Sequence, residues 1–395
     1  MDALEKNTMM ITDSSNEDIK KRIQRVNENI LNFNFDSRFA FSGEKSTIFD
    51  KMKQYNVPGV CIAVINNYEL EWTKCFGVRD VRTEEPLTLD TLLEVGSTSK
   101  SFTALTALSF VDKGLLELDE DVNNNLTSWN YLDNEFTEKT KVSLEHILSH
   151  QSGINGPNGG FSSEPNSAPT LTQMFKGEKP SLSDPFSVDF TPGTSHAYSN
   201  YGYILVQMLL EDVAKKSFTD IVDEHIFQSL GMVNSSFKYP TEKTKQLMAT
   251  PHDQEGEAKE TGLHPTALAQ GGLITTALDL SKFYIDIMNT LRREENSFFK
   301  FNIIEQMITP VLNLDPTKFF GMTGQGLGTF IIDNGKNKFF THPGTNWPGT
   351  TCLPIFCAET GQGAIIITNG IKGEILQSEI MNSIAREYGW TLWES

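Results

Sequence analysis

At 395 residues, 38% of them hydrophobic, the chain can bury a substantial core, and its length suits one large domain or two to three ordinary ones. Its 51 acidic side chains against 33 basic ones leave a formal charge of -18, a surface that repels phosphate backbones and anionic lipid and so argues against nucleic acid as a partner. No run approaches the roughly 18 apolar residues of a membrane span. The opening MDALEKNTMMITDSSNEDIKK also lacks the basic start and apolar core of a secretory signal, so an unprocessed chain is expected in the cytoplasm.

Residues 1–45 read as a leader. Ser15 and Asp18 fit a capping box, and Ile19, Ile23, Val26 and Ile30 recur at helical spacing, which predicts a helix lying on a body that spans 46–395. GVCIAVIN and LEWTKCFGV, separated by NYE, predict a β-hairpin. Residues 97–113 are apolar nearly all round and stop at Gly114, the pattern of a buried helix with a glycine cap. From there to about residue 290 the periodicity is mostly helical, broken by NGPNGGFSSEPNSAPT, whose composition predicts a surface loop. Strand character returns in GLGTFIID, NKFFTH, GTTCLPIF and GAIIITN, and Leu376, Ile380, Ile384 and Tyr388 give the chain a closing amphipathic helix. Strands at both ends with helices between imply an α/β (α+β) fold. Its sheet would come from 46–96 and about 290–395, with a mostly helical region, about 97–290, inserted. Four cysteines (Cys61, Cys75, Cys352 and Cys357) fit no common zinc pattern; in apolar, strand-like contexts they are expected to be buried free thiols.

Ser97 and Lys100 stand three residues apart where a strand-like run gives way to the buried helix. Residues i and i+3 share a helix face, and a desolvated lysine loses its charge and becomes a base able to activate the serine. Spacing alone is weak evidence: Ser235 and Lys238 repeat it in SSFK with no chemistry around them. In PGTSHAYSNYGY, Tyr198 can share the proton transfer, as a tyrosinate beside an ammonium, and Asn200 can hold a substrate carbonyl. In THPGTNWPG, Gly344 lets the backbone approach a reacting centre, and the N–H of Thr345 can pair with that of Ser97 as an oxyanion hole. His146 and His150 have a zinc-like i, i+4 spacing, but Ile147 occupies the place of the catalytic glutamate in H-E-x-x-H. No metal is expected there; His150 is expected to order the HQSG turn. The absence of G-x-S-x-G argues against an α/β-hydrolase nucleophile elbow.

Together, Ser97/Lys100, Tyr198/Asn200 and His342/Gly344, in that order, resemble the serine β-lactamase and penicillin-binding protein superfamily, most closely its class C-like branch of esterases and D-amino-acid peptidases. VPGVCIAV, LLELDEDV, LEHILSHQSGI, LGMVNSSF and GGLITTALDLSKF add to the likeness, which covers roughly residues 20–392. The resemblance implies a β-lactamase-like fold and a serine hydrolase acting on an ester or a D-amino-acid-containing peptide or amide. Acyl transfer and lactam hydrolysis would share its acyl-enzyme, and a non-catalytic descendant is disfavoured because Ser97, Lys100, Tyr198 and Asn200 are all present. It implies Ser97 as nucleophile, Lys100 and Tyr198 as proton acceptors, and Asn200, His342, Gly344 and Thr345 as substrate and oxyanion contacts, with no cofactor. The family's lactam-handling members usually carry a lysine where this chain has His342. A histidine mostly neutral at pH 7 is expected to disfavour anionic substrates, and lactam turnover is expected to improve as His342 gains a proton toward pH 6. The oligomeric state is left open.

Overall fold

A computed structural model describes residues 7–11, 17–34, 40–156, 161 and 167–392. The expected hairpin is present as strands Gly59–Asn66 and Glu69–Asp80, turning at Asn67 and Tyr68, whose φ values of 53° and 65° lie in the left-handed region. It joins the late strands in one sheet, in the order Asn7–Ile11, Glu69–Asp80, Gly59–Asn66, Gln362–Thr368, Thr350–Cys357, Lys338–Thr341, Phe330–Asp333, Gly324–Gln325 and Leu312–Asn313. Every neighbouring pair is antiparallel, and Gly59–Asn66 lies directly against Gln362–Thr368, so the two chain ends share the sheet.

The central strands read as continuous apolar runs because both faces are covered. Cys61, Ala63, Ile65, Ile365 and Ile367 face a core shared with helices Ser99–Asp112, Asn200–Ala214 and Ala277–Leu291. Val60, Ile62, Val64, Ala364 and Ile366 face the other way, onto the closing helix Gly373–Tyr388 and the helices Glu17–Glu28 and Ile48–Tyr55. An antiparallel sheet with one wet face would alternate; this one has none.

The N-terminal segment holds more than a helix. Glu17–Glu28 buries Ile19, Ile23 and Val26 beside the closing helix, and Arg25 forks onto Glu387 at 2.9 and 2.6 Å. Ile30, expected on that helix, starts a short strand, Ile30–Asn34, paired with Ala40–Ser46. Asn7–Ile11 adds an edge strand to the main sheet. Ser15 of the expected capping box lies outside the described residues, as does most of the expected surface loop between 157 and 166.

Two of the four cysteines depart from expectation. Cys61 and Cys75 form a disulfide, because the hairpin register sets them directly opposite each other with a Cα–Cα distance of 4.1 Å. Cys352 and Cys357 are the buried free thiols foreseen for all four. Such a bridge persists in oxidising surroundings. Among the described residues no helix is long and apolar enough to cross a membrane.

Candidate active site

Ser97 sits on a single 3-10 turn, Gly96–Thr98, that runs straight into helix Ser99–Asp112. The helix is buried nearly all round, and its hydroxyls are satisfied inwards. Ser99 Oγ donates to Gly96 O and accepts from Leu273 N–H, while Ser101 and Thr103 donate to Gly328 O and Ala269 O. These bonds fix the rotation of the helix, and Lys100 is thereby turned under Ser97.

Lys100 is fully buried, and its Nζ lies 3.0 Å from Ser97 Oγ, 2.9 Å from Asn200 Oδ1 and 2.6 Å from Gln270 O. Two of these neighbours can only accept a proton, whereas the third is a hydroxyl that can donate one. A neutral amine has two N–H groups and one lone pair, so it matches this set: N–H to Asn200 and to Gln270, lone pair facing the serine O–H. Burial moves Lys100 in the same direction, holding its pKa well below the usual 10.5. Tyr198 packs its ring 4.8 Å from the Lys100 ammonium position and its hydroxyl bonds Ser97. Burial raises the Tyr198 pKa above the phenol range, outweighing the Ser97 bond, so the neutral pair displaces the tyrosinate–ammonium pair read from the sequence.

Tyr198 is placed from behind by His150, whose ring lies 4.2 Å away and whose Nδ1 accepts from Ser199 N–H at 3.2 Å. His150 O also accepts from Ala197 N–H, so the HQSG turn orders the segment that carries Tyr198. His146 instead closes a capping box with Ser143, and no group of three or more metal-ligating side chains occurs among the described residues.

The edge strand Gly344–Asn346 pairs with Thr350–Cys357 and lies against the nucleophile turn. A Cβ on Gly344 would stand 1.9 Å from Val95 O and 2.8 Å from Ser97 N, and one on Gly96 would stand 2.6 Å from Thr345 N. Only two glycines allow this backbone contact, and Gly96 also has φ of +50°. The N–H groups of Ser97 and Thr345 are thus carried on touching segments. Thr345 Oγ1 donates to Glu374 at 2.5 Å.

Ser97, Tyr198, Asn200 and Thr345 open onto a cavity of about 390 Å³ whose other walls include Phe161, Leu263, His264 and Trp347. Among the described residues no Lys, Arg, Asp or Glu lines it. His264 Nδ1 accepts from Thr266 and Ala267 N–H, and burial holds the ring down to about 4, so it is neutral with its proton on Nε2.

His342 does not meet the cavity. It is 1% exposed, its ring lies 5.2 Å from Phe330 and 6.3 Å from Tyr198, and burial holds it down to about 3. The expected substrate contact and the expected protonation toward pH 6 are both overturned by that burial. What His342 supplies is its carbonyl, which accepts from Thr98 Oγ1 at 2.9 Å and ties the strand to the nucleophile turn.

The Beta-lactamase family model matches residues 45–379. The chain belongs to that family. Membership places it in the superfamily of serine acyl-transferases and hydrolases. Curated relatives include Protein flp of Staphylococcus aureus strain N315, 24% identical over 197 residues (49% of this chain, 38% of that protein). Penicillin-binding protein 4* of Bacillus subtilis strain 168 is 25% identical over 186 residues (47% of this chain, 39% of that protein). The chain therefore spans well under half the length of these relatives. Among solved structures, the octameric penicillin-binding protein homologue from Pyrococcus abyssi has a TM-score of 0.69 at 26% identity, covering 87% of this chain and 76% of its own. The D-amino acid amidase from Ochrobactrum anthropi SV3, complexed with L-phenylalanine amide, has a TM-score of 0.67 at 21% identity, covering 86% and 96%, and shares the fold.

Sequence reasoning did not assign Gln270, which acts through a carbonyl, or the walls Phe161, Leu263, His264 and Trp347. The one available signal was the glycine pair in AQGGL: a Cβ on Gly271 would meet Asn346 Oδ1 at 3.3 Å, which marks a crowded position beside the site.

Proposed function

We propose that the protein is a serine hydrolase that cleaves uncharged esters or amides through an acyl-Ser97 intermediate. The observation that carries this reading is Lys100 Nζ held between Ser97 Oγ and two obligate acceptors, Asn200 Oδ1 and Gln270 O. Ser97 Oγ attacks the carbonyl carbon and its proton passes to the Lys100 amine. The oxyanion is held by the N–H groups of Ser97 and Thr345. As the tetrahedral adduct collapses, the phenol of Tyr198 relays the proton to the leaving group; water then attacks the acyl-enzyme along the same path in reverse. Asn200 both positions Lys100 and borders the acyl group.

The uncharged lining favours neutral substrates, because a carboxylate brought into it would lose its hydration without gaining a cation. Short-chain esters, and amides of D-amino acids in their free-amine form, fit better than penicillins, and the amidase likeness supports the amide. Acyl transfer to an amine or alcohol uses the same intermediate and is separated by adding such nucleophiles and analysing products. Assays against p-nitrophenyl butyrate, D-phenylalanine amide and benzylpenicillin at pH 7 test the substrate class. The neutral ester or the amide is expected to have the highest kcat/KM; benzylpenicillin ranking first would sink the proposal.

A further inference from the structure

Glu94 takes no part in those steps, yet it is 1% exposed and stands three residues before the nucleophile, in the short strand Leu93–Glu94 paired with Ile274–Thr275. Its Oε1 accepts from Thr261 Oγ1 at 2.5 Å, its Oε2 accepts from Asn346 Nδ2 at 3.0 Å, and Gly262 N–H donates to it as well. These donors come from two different walls of the substrate cavity. Thr261 and Gly262 lead into the Leu263–Pro265 wall, whereas Asn346 belongs to the strand that carries Thr345 and leads to Trp347. The walls touch backbone to backbone: a Cβ on Gly262 would stand 1.8 Å from Trp347 O. Asn346 Nδ2 also reaches Gly271 O at 3.2 Å, next to the residue whose carbonyl holds Lys100. The Glu94 carboxylate thus closes the seam between both walls, directly behind the nucleophile turn.

We propose that Glu94 is a positioning residue: as an ionised acceptor of three hydrogen bonds it locks the two cavity walls in the geometry that binds the acyl group, and so couples substrate affinity to pH. The proposal rests on the hydrolase reading above. The groups facing Glu94 are neutral, namely Thr261 and Gly262 from the loop, Asn346 from the edge strand, and Ile274 and Thr275 from the pairing strand. Burial pushes its carboxyl up to about 7 against the three donors, and no charged side chain contributes. Above that pH the carboxylate accepts all three bonds. Below it, a proton occupies one oxygen, a donor loses its partner and the seam loosens. Substrate affinity should therefore fall as pH falls.

The test measures kcat and KM separately for p-nitrophenyl butyrate, which is uncharged throughout, from pH 6 to 8. For a single group titrating near 7, wild-type KM should rise about tenfold from pH 8 to pH 6, while the limb owed to Lys100 stays in kcat. In Glu94→Gln the amide carries N–H where an acceptor is needed. Its KM should be raised on the order of tenfold at pH 8 and be flat down to pH 6, with kcat within about threefold. Thr261→Val removes one donor and should move the wild-type KM inflection to higher pH, a change that a purely structural glutamate would not produce. If Glu94→Gln fails to fold, Thr261→Val decides alone. A wild-type KM–pH curve in folded Glu94→Gln, or an unmoved inflection in Thr261→Val, overturns the proposal. Ser97→Ala, assayed in parallel, isolates the hydrolase reading, because its failure to abolish turnover would sink that reading whatever Glu94 does.

Discussion

The S-x-x-K spacing recurs along the chain, and the copies at Ser97/Lys100 and Ser235/Lys238 have different surroundings. At Ser97 and Lys100 the pair straddles the start of a buried helix, and the amine is 3.0 Å from the hydroxyl with no solvent around it. At Ser235 and Lys238 the pair lies on irregular backbone. Ser235 Oγ is taken up by Thr275 and Asp279, and the Lys238 side chain, 68% exposed, reaches out to Asp220 at 3.7 Å. Lys100 has its pKa depressed by burial, whereas Lys238 keeps its hydration. Spacing brings the two groups within reach only on a helix, and burial alone turns the lysine into a base.

The largest effect is expected from breaking the first copy. Lys100→Arg installs a guanidinium that stays protonated and so cannot accept the serine proton, and kcat/KM should fall on the order of 10²-fold or more, while Lys238→Arg should leave it unchanged. Steady-state kinetics of both variants check this, and a Lys100→Arg enzyme with half its activity would refute the base assignment. Gly344→Ala should come next, because its Cβ would stand 1.9 Å from Val95 O and must push the edge strand off the nucleophile turn. A displacement near 1 Å costs roughly 10²-fold. Wild-type labelling rates in that variant would show that the contact is dispensable.

How much of this was legible in the sequence depended on which atoms act. Ser97, Lys100, Tyr198 and Asn200 carry side chains of distinctive chemistry, so type and order single them out, and the fold brings them together. Gln270 works through a carbonyl, a group that every residue has. Glu94 stands three residues before Ser97, but nothing local in the sequence marks its role, since its partners Thr261 and Asn346 lie 167 and 252 residues away in the chain. The hairpin was foreseen, yet the Cys61–Cys75 bridge depends on register, which the apolar runs do not reveal. His342 was found by position in the motif order, but strand geometry, not residue type, turned its ring into the core.

The burial of His342 sharpens the comparison at intermediate magnitude. Since its ring is held down to about 3, it should give no limb in the pH–rate profile between pH 5 and 8. The limb in kcat should belong to Lys100, with activity lost as pH falls, at a pH well below 10.5. Stability has its own sign. A histidine depressed from 6.5 to about 3 takes up its proton more readily when unfolded, so acidification through that window destabilises the fold. His342→Leu should therefore lose less Tm than wild type between pH 7 and pH 5; an equal loss in both would show that His342 is not the group responsible. The smallest effects belong to the second copy. Ser235→Ala should cost about 1 kcal/mol for its lost hydrogen bonds, and Lys238→Ala should stay within about 0.5 kcal/mol, neither altering kcat/KM. Denaturant unfolding and ester assays on the two variants would expose any hidden role.

The most direct test of the central claim, that burial under a helix start selects Ser97 and not Ser235, is covalent labelling with a fluorophosphonate followed by peptide mapping. The mechanism predicts one equivalent per chain, located on Ser97, absent from Ser97→Ala and undiminished in Ser235→Ala. Label on Ser235, or a Ser97→Ala protein that still turns over ester, would contradict it.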